Sequence, residues 1–233
     1  MDVFLVGDLE VEVVKKDIKN IHLGVYPPIG RVRLSAPESS DDEKIRLFIV
    51  SKIPWIRKNQ RKFKDKERLT HPNFTSRESH YISGRRYLLD VDVNGTNKNQ
   101  VTLAKNKIKL TIKEPYSSEK RQEIFESWLR RNLRFRIEPI LSKWENQMSL
   151  HCSEWKIKKM KTKWGSCNEE AKRLWFNLEL MKVDDSCLEY VIVHELAHLK
   201  HKYHNKHFFN TLSKFIPDWE HRKNILNQTL LVY

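Results

Sequence analysis

The chain has 233 residues, a net charge of +14 and 39% hydrophobic residues, enough to bury one sizeable core or two small ones. No apolar run approaches the roughly 18–20 residues of a membrane-spanning helix, which argues against a membrane partner. The cysteines (Cys152, Cys167 and Cys187) are too few for a disulfide framework, and the first residues show no export signal. We therefore expect a cytoplasmic protein.

The positive charge suggests polyanionic partners, including nucleic acid. The charge is concentrated in three runs, Arg57–Lys66, Arg130–Arg136 and Lys156–Lys163. Runs of this kind are more often ordinary solvated faces. Nucleic-acid binding through the basic surface is therefore one hypothesis, and a solvated surface without a partner is the other.

The first part of the chain is predicted to form an antiparallel sheet followed by a helix. Apolar and polar residues alternate over 9–14, 21–25 and 32–34, the period-two pattern of half-buried strands. The period then becomes helical, with Ser40 and Glu43 predicted to form a capping box and Pro54 predicted to kink the helix.

The next region is predicted to return to strands. Residues 65–80 lack periodicity and are expected to form a polar loop without an assigned role. Strands follow in RYLLDVDV, turn at Asn94-Gly95, and continue through QVTLAKNKIKLTI. No internal repeat is evident in the sequence. We place the end of the β-rich part at residue 115, so that 1–115 and 116–233 are the two predicted domains.

The second predicted domain begins with a long helix from Ser117. A half-buried strand is expected from Leu174 to Leu180, where apolar and polar residues alternate. Asp184 or Asp185 then caps another helix. The expected fold class is α+β: a β-rich N-terminal part followed by a helical core with a small antiparallel sheet.

The sequence HELAH at 194–198 has the spacing of a metal site. Residues four apart share one face of an α-helix, so His194 and His198 can bind the same ion. Glu195 lies about 100° around the helix, where it can act as general base on a metal-activated water. Zinc suits such a site. A chance pattern on a surface helix is the alternative, and the capped amphipathic helix argues against it.

A catalytic zinc ion needs a third protein ligand, for which His201, His204 and His207 are candidates. Seven helical residues rise about 10.5 Å, so His201 cannot share an ion with His194 while the helix continues. The chain must therefore leave the helix and fold back, which leaves His204 and His207 open. The spacing to His204 is that of metzincins, but their turn glycine is replaced by His201 and no Met-turn follows.

The segments TKWGSCN, RLWFNLELMKV, LEYVIVHELAHLKHKYHNKHFF and IPDW resemble the YgjP-like metallopeptidases, relatives of the SprT-like zincins. The resemblance extends upstream to GRVRLSAPE, WIRKNQ and SGRRYLLDV, so it covers most of the chain. It implies a zincin-like catalytic core behind a β-rich region, in a cytosolic protein. It also implies that His194, His198 and His204 are the metal ligands and that Glu195 is the catalytic acid and base.

Residues upstream of the motif have alternative interpretations. Trp164 and Gly165 form either a tight turn or a wall of the cleft. Cys167 is expected to be a small buried residue rather than a fourth ligand. Asn177 is expected on the polar face of its strand, where it is either solvated or lines a substrate groove.

Residues downstream of the motif are expected to support it. His201 and His207 are predicted to lie at the surface or against a ligand. Phe208 and Phe209 are predicted to be core contacts that hold the returning segment. Asp218 is expected at a helix end, where it is a candidate hydrogen-bond acceptor for a ligand histidine.

Three functions are consistent with these features. The leading hypothesis is a zinc-dependent metallopeptidase that acts on a protein or peptide, with Glu195 as general base. A zinc-dependent hydrolase of nucleotide phosphoanhydrides would use the same chemistry, but no Gly-rich phosphate loop is present. The third hypothesis is a non-enzymatic, metal-stabilised nucleic-acid-binding module. The glutamate of the motif argues against that module, because a structural zinc ion needs no base.

Overall fold

The computed structural model describes residues 2–26, 30–67, 73–93 and 98–228. The chain divides into two compact units, Met1–Thr70 and His71–Tyr233. Within the described ranges there are five α-helices, one 3₁₀ helix and three sheets of mixed strand direction. The predicted α+β class is therefore confirmed.

The first unit is a four-stranded sheet with one long helix. Its strands are β1 (Asp2–Val6), β2 (Leu9–Lys16), β3 (His22–Tyr26) and β4 (Arg31–Pro37), and its helix is α1 (Asp42–Glu67). Alternate strand side chains pack against α1 because successive side chains of a strand point to opposite faces. This core contains Phe4, Leu9, Val11, Val13, Val32, Leu34, Ala36, Ile45, Ile49 and Ile56.

Two details predicted for the first unit are wrong. The strand order is β1-β2-β4-β3, and β2 and β4 are parallel, so the sheet is mixed rather than antiparallel. The helix does not begin with a capping box of Ser40 and Glu43. It begins at Asp42, and the carboxylate of Asp41 accepts a hydrogen bond from the Glu43 amide (3.4 Å).

The second unit opens with a sheet of the same topology. Its strands are β5 (Ser79–Ile82), β6 (Arg85–Val93), β7 (Gln100–Ala104) and β8 (Lys107–Ile112), in the order β5-β6-β8-β7. The inner pair, β6 and β8, is again parallel, and a long helix, α2 (Ser118–Met148), again follows. Two ββββα segments thus repeat one topology without an evident sequence repeat. The predicted turn at Asn94-Gly95 lies outside the described residues.

Helix α2 connects this sheet to the rest of the second unit. The hydroxyl of Ser117 caps it by accepting a hydrogen bond from the Lys120 amide (3.4 Å). Side chains at intervals of three or four residues form its buried stripe: Phe125, Leu129, Leu133, Ile137, Leu141, Trp144 and Met148. Phe135 belongs to the same apolar sequence pattern, but its side chain is 67% exposed.

The remainder of the second unit carries the candidate site. The strands β9 (Glu154–Lys158), β10 (Gly165–Asn168) and β11 (Arg173–Asn177) form a sheet of order β10-β11-β9. A 3₁₀ helix (Leu178–Lys182) follows, then α3 (Asp185–Ala197), α4 (Lys206–Phe215) and α5 (Trp219–Gln228). The sheet is mixed because β9 and β11 are parallel, so the antiparallel expectation is wrong. The predicted strand from Leu174 to Leu180 ends at Asn177.

The division between the two units differs from the predicted boundary after residue 115. The strands from β5 to β8 share one hydrophobic core with α2 and α3, which includes Leu89, Ile108, Leu133 and Val191. A functional division into 1–115 and 116–233 stays a prediction.

The segment predicted to be a polar loop, 65–80, is partly regular, since α1 extends into its start and β5 forms its end. Between them, the Glu78 carboxylate accepts hydrogen bonds from the backbone amides of Asn73 and Phe74 (both 2.9 Å). Phe74 is buried, and its ring stacks on that of His80 with 5.5 Å between centroids. This part of the segment therefore contributes to the core.

All three cysteines are free thiols, and burial raises the pKa of Cys187 to about 11. None of the helices in the described ranges combines the length and the apolar character needed to cross a membrane. The cytoplasmic location stays a prediction.

The buried His80 ring is expected to make the stability of the second unit depend on pH. Burial lowers the pKa of His80 below its ordinary value of 6.5, although the Glu78 carboxylate opposes this shift. The fold therefore favours the neutral ring. The contribution of this ring to the free energy of unfolding is fully present above pH 6.5 and is lost as the pH falls below that value. His80→Phe keeps the contacts with Phe74 and Phe125, and should make the loss of unfolding free energy between about pH 7 and pH 5 less steep.

Urea unfolding of metal-free protein, followed by tryptophan fluorescence, measures this slope. Most of the 7 tryptophans lie in the second unit, so the signal reports mainly on that unit. An identical slope in the two proteins would show that His80 does not contribute.

Candidate metal centre

The candidate site is built on α3, a helix that is buried on almost all sides. The Asp184 carboxylate caps it by accepting a hydrogen bond from the Cys187 amide (2.8 Å), which decides between the two predicted caps. Arg136 of α2 holds the start of the helix: its guanidinium donates to the Val183 carbonyl (2.9 Å) and pairs with Asp185 (2.8 Å). The helix that carries HELAH is thus anchored to α2.

Three imidazoles converge at the C-terminal end of α3. His194 lies in its last turn, His198 is its C-cap residue, and His204 lies in the loop before α4. The Nε2 of His204 is 3.0 Å from that of His194 and 3.1 Å from that of His198. The helix ends at Ala197, so the chain folds back after the motif, as the sequence requires.

The return of the chain depends on Phe208. Asn205 caps α4, and its side-chain oxygen accepts a hydrogen bond from the Phe208 amide (3.0 Å). The Phe208 ring is fully buried. Its centroid lies 5.0 Å from that of the His194 ring and 4.7 Å from those of the His198 and His204 rings. One aromatic side chain thus contacts all three imidazoles, and the prediction that Phe208 is a core contact is confirmed.

A backbone carbonyl sets the orientation of His198. The His198 Nδ1 lies 3.0 Å from the His201 carbonyl oxygen, which can only accept. Nδ1 therefore carries the proton, and Nε2 directs a lone pair toward the other two rings. The ring of His201 turns away to Thr211 (2.9 Å), and His207 is exposed.

The three nitrogens fit a divalent transition-metal ion. Burial and the two neighbouring imidazoles lower the pKa of His194 to about 3, and burial also lowers the pKa of His204. Both rings are therefore neutral near pH 7, the state in which imidazole binds metals. Two imidazole nitrogens on a tetrahedral zinc ion lie about 3.3 Å apart, close to the separations seen here. Within the described part of the chain, this is the one group of three potential ligands whose donor atoms lie within 4.8 Å of one another.

Glu195 is buried next to the imidazoles. Its side chain is 5% exposed, and this burial raises its pKa to about 8, although the charge of Lys163 opposes the shift. Gly165 provides the space: a Cβ atom there would lie 2.5 Å from the Glu195 Oε1 and 2.6 Å from its Cγ. Any side chain at position 165 would collide with the carboxylate, so Gly165 is required for more than a turn.

A cavity of about 870 Å³ opens onto the carboxylate and the imidazoles. Trp164, Gly165 and Cys167 line it, so this segment is a wall of the cleft. Cys167 is half-buried rather than fully buried, and desolvation raises the pKa of its thiol to about 12. The thiol is therefore protonated at neutral pH, when it is a poor metal ligand.

The expectation that Asn177 lies on a polar strand face is wrong, because its side chain is completely buried. The amide donates hydrogen bonds to the carbonyls of Met160 (2.8 Å) and Lys163 (2.7 Å) and accepts one from the Met160 amide (3.2 Å). It also caps the 3₁₀ helix. Asn177 therefore fixes the segment that leads into the cleft wall, a role without a local sequence signal.

Among its described contacts, Asp218 forms no hydrogen bond with a ligand histidine, so that expectation is wrong. Its carboxylate instead accepts a hydrogen bond from the Arg222 guanidinium (3.0 Å) at the start of α5. Phe209 packs partly buried against the core, as predicted, and stacks on Trp219 with 5.1 Å between centroids.

The sequence matches the profile of the family described as YgjP-like, metallopeptidase domain, over residues 19–229. The chain belongs to the YgjP-like metallopeptidase family. The match spans both units, so the first unit is part of the YgjP-like sequence and not an unrelated addition. No curated protein matches the chain.

Two solved structures resemble parts of this YgjP-like protein. The metallopeptidase zymogen abylysin of Pyrococcus abyssi is 18% identical, with a TM-score of 0.37 over 39% of this chain and 90% of its own. The metallopeptidase zymogen jannalysin of Methanocaldococcus jannaschii is 28% identical, with a TM-score of 0.36 over 40% of this chain and 94% of its own. Neither TM-score reaches 0.5, so the family membership rests on the profile match alone.

The close approach of Gly165 to Glu195 is expected to appear as an energetic coupling. Gly165→Ala should lower the free energy of unfolding by about 1–3 kcal/mol, the usual cost of overpacking. In a Glu195→Ala background the added methyl group finds space, so the same change should cost less than about 0.5 kcal/mol. A double-mutant cycle by urea unfolding measures the difference, and additive effects would contradict the contact.

Proposed function

We propose that the chain is a zinc-dependent metallopeptidase. His194, His198 and His204 would hold the ion through their Nε2 atoms, and Glu195 would act as general base. One observation carries the proposal: three imidazole nitrogens converge beside a buried carboxylate in a member of a metallopeptidase family.

The chain prepares the ligands before any ion binds. A zinc ion held in such a site lowers the pKa of a coordinated water molecule and polarises a substrate carbonyl. The packing of Phe208 limits movement of the three rings, and the His201 carbonyl keeps the proton of His198 on Nδ1. Little reorganisation is then needed on binding, which favours affinity.

Glu195 would move the proton that hydrolysis requires. One of its carboxylate oxygens accepts a proton from the attacking water, and the same group donates that proton to the nitrogen as the peptide C–N bond breaks. Burial raises the pKa of Glu195 to about 8 in the metal-free chain, and a divalent ion held beside it would lower that pKa toward neutrality, where a carboxylate can both accept and donate a proton. Gly165 leaves its carboxylate uncovered on the cavity side.

The family indicates a protein or peptide substrate. The cavity of about 870 Å³ lies within the volume range of ligand clefts. Family membership favours the peptide bond over a phosphoanhydride as the bond that is cleaved.

Nucleic-acid binding remains a second, untested proposal. Part of the charge in the basic runs is locally compensated among the described side chains, as on ordinary solvated faces. The ion pairs that do this include Arg57–Asp8, Arg136–Asp185, Lys156–Glu154 and Lys159–Glu126. A titration of DNA binding against salt concentration tests the remaining charge, since phosphate contacts give a steep dependence.

Glu195→Gln is expected to keep the metal and lose peptide hydrolysis. The amide has the size of the carboxylate but cannot accept the proton, so the cleavage rate should fall by about 10²- to 10⁴-fold. Metal content by mass spectrometry and cleavage of casein by the zinc-loaded protein measure the two properties separately. Full activity in this variant would exclude Glu195 as the base.

His204→Ala and His207→Ala form a matched pair, since both remove one imidazole from the same segment. His204→Ala should weaken zinc binding by more than about 100-fold, because even residues behind the ligands contribute 10- to 100-fold. His207→Ala should leave the affinity unchanged. Competition with a chromophoric chelator measures both, and equal affinities in the two variants would contradict the ligand assignment.

A further inference from the structure

Two lysines in the cavity have no counter-ion among the residues that the structure describes. Lys163 and Lys223 both line the space that contains Glu195 and the imidazoles, and both are exposed. Among the described residues neither forms a salt bridge. In contrast, Lys202, which also lines the cavity, pairs with Glu169 at 2.8 Å.

The backbone of Lys163 is held in place by the buried amide of Asn177. Its carbonyl accepts a hydrogen bond from the Asn177 side chain (2.7 Å), and the carbonyl of the next residue, Trp164, accepts one from the Asn177 backbone (2.9 Å). The side chain of Lys163 therefore extends from a well-fixed part of the cleft wall, two residues before Gly165. Lys163 lines the same cavity as Glu195.

Lys223 reaches the same cavity from α5, held by a series of aromatic contacts. Its Nζ lies 5.6 Å from the centre of the Trp219 ring. The Trp219 ring stacks on Phe209 at 5.1 Å, and Phe209 lies 6.2 Å from the ring of His204. Lys223 therefore enters the cavity from α5, whereas Lys163 enters it from the cleft wall.

The carboxylates of the cavity do not neutralise these two charges. Glu169 already pairs with Lys202 (2.8 Å), and within the described residues neither Glu169 nor Glu170 forms a salt bridge with Lys163 or Lys223. Glu195 is buried and is needed for proton transfer. Two cations beside a site that would also hold a divalent ion therefore favour an anionic group on the substrate.

We propose that Lys163 and Lys223 bind a carboxylate of the peptide substrate close to the bond that is cleaved. This inference rests on the proposed peptidase function and defines its substrate class. A peptide offers this group either as an Asp or Glu side chain or as its C-terminal α-carboxylate. An ammonium group binds either one by a charge-assisted hydrogen bond.

A matched set of peptides tests the inference. Mass spectrometry of digested casein locates the cleaved bonds, and doubly blocked peptides then carry Glu, Gln or Lys at each position near such a bond. A second arm compares a neutral peptide that ends in a free carboxylate with the same peptide as an amide. Binding to the zinc-loaded Glu195→Gln protein is measured by fluorescence anisotropy, and cleavage by the zinc-loaded wild type.

The carboxylate peptides of at least one arm should bind up to about fivefold more tightly than their neutral counterparts for each lysine engaged, the upper end of the range for one exposed ion pair. The difference should appear in KM rather than kcat, because the contact is the same in the ground state and the transition state. It should decrease with added salt.

Lys163→Gln and Lys223→Gln should each reduce the preference, and together they should abolish it. Lys223→Glu should shift the preference toward the Lys peptide. Lys214→Gln is the matched control, since it removes the same charge from α4 outside the cavity and should leave the preference intact. Thermal unfolding of each variant checks that the fold is retained.

The outcomes separate the two proposals. Equal binding of the carboxylate and neutral peptides in both arms would overturn the inference, whether or not any peptide is cleaved. A carboxylate preference that persists in the double Lys→Gln variant would overturn the assignment to these lysines. Absence of cleavage of every peptide by the zinc-loaded wild type would instead overturn the peptidase function.

Discussion

The packing of Phe208 is the interaction on which the site depends. The His204 Nε2 lies 3.0 Å from that of His194 and 3.1 Å from that of His198, and lone pairs brought together at this distance would repel one another unless rigid neighbours held the rings in place. Phe208 contacts all three rings from inside the core and ties the loop that contains His204 to α3. The cap at Asn205 starts α4 at the point where this ring can enter the core. Hydrophobic burial thus stabilises a polar arrangement that would not be stable alone.

Asn177 and Glu195 are both buried polar side chains of the second unit, but only Asn177 is surrounded by hydrogen-bond partners among the described residues. Asn177 therefore has a structural role, and Glu195 is suited to a reactive one. Asn177 has its amide hydrogen-bonded to the chain around it, so its burial costs little and rigidifies the cleft wall. Glu195 is buried without comparable compensation, so desolvation raises its pKa. A carboxylate that is held in this state and faces a cavity is suited to proton transfer. Arg136 of α2 donates a hydrogen bond to the Val183 carbonyl and pairs with Asp185, so it holds the start of the helix that carries Glu195 against α2.

Local patterns predicted much of the fold. The alternation in β2 and β4, the caps of α2 and α3, and the end of the helix after HELAH follow from residues close in the chain. The parallel pairing of β2 with β4, of β6 with β8 and of β9 with β11 was not predictable in this way. Each pairing joins strands separated by another element, and alternation has the same period in parallel and antiparallel strands. For the same reason a topological repeat of two ββββα segments left no trace in the apolar pattern.

Residue spacing is enough to predict that His194, Glu195 and His198 share one end of a helix, because helical geometry fixes the relation of residues three or four apart. It also required the chain to fold back after His198, since a continuing helix carries His201 out of reach. Spacing does not specify which later histidine returns, what makes room for the carboxylate, or which charges surround it. These three features depend on the tertiary structure. His204, Lys223 and the pair Lys163 and Gly165 come from three separate segments. Their proximity depends on long-range packing of the core, which spacing along the chain does not encode.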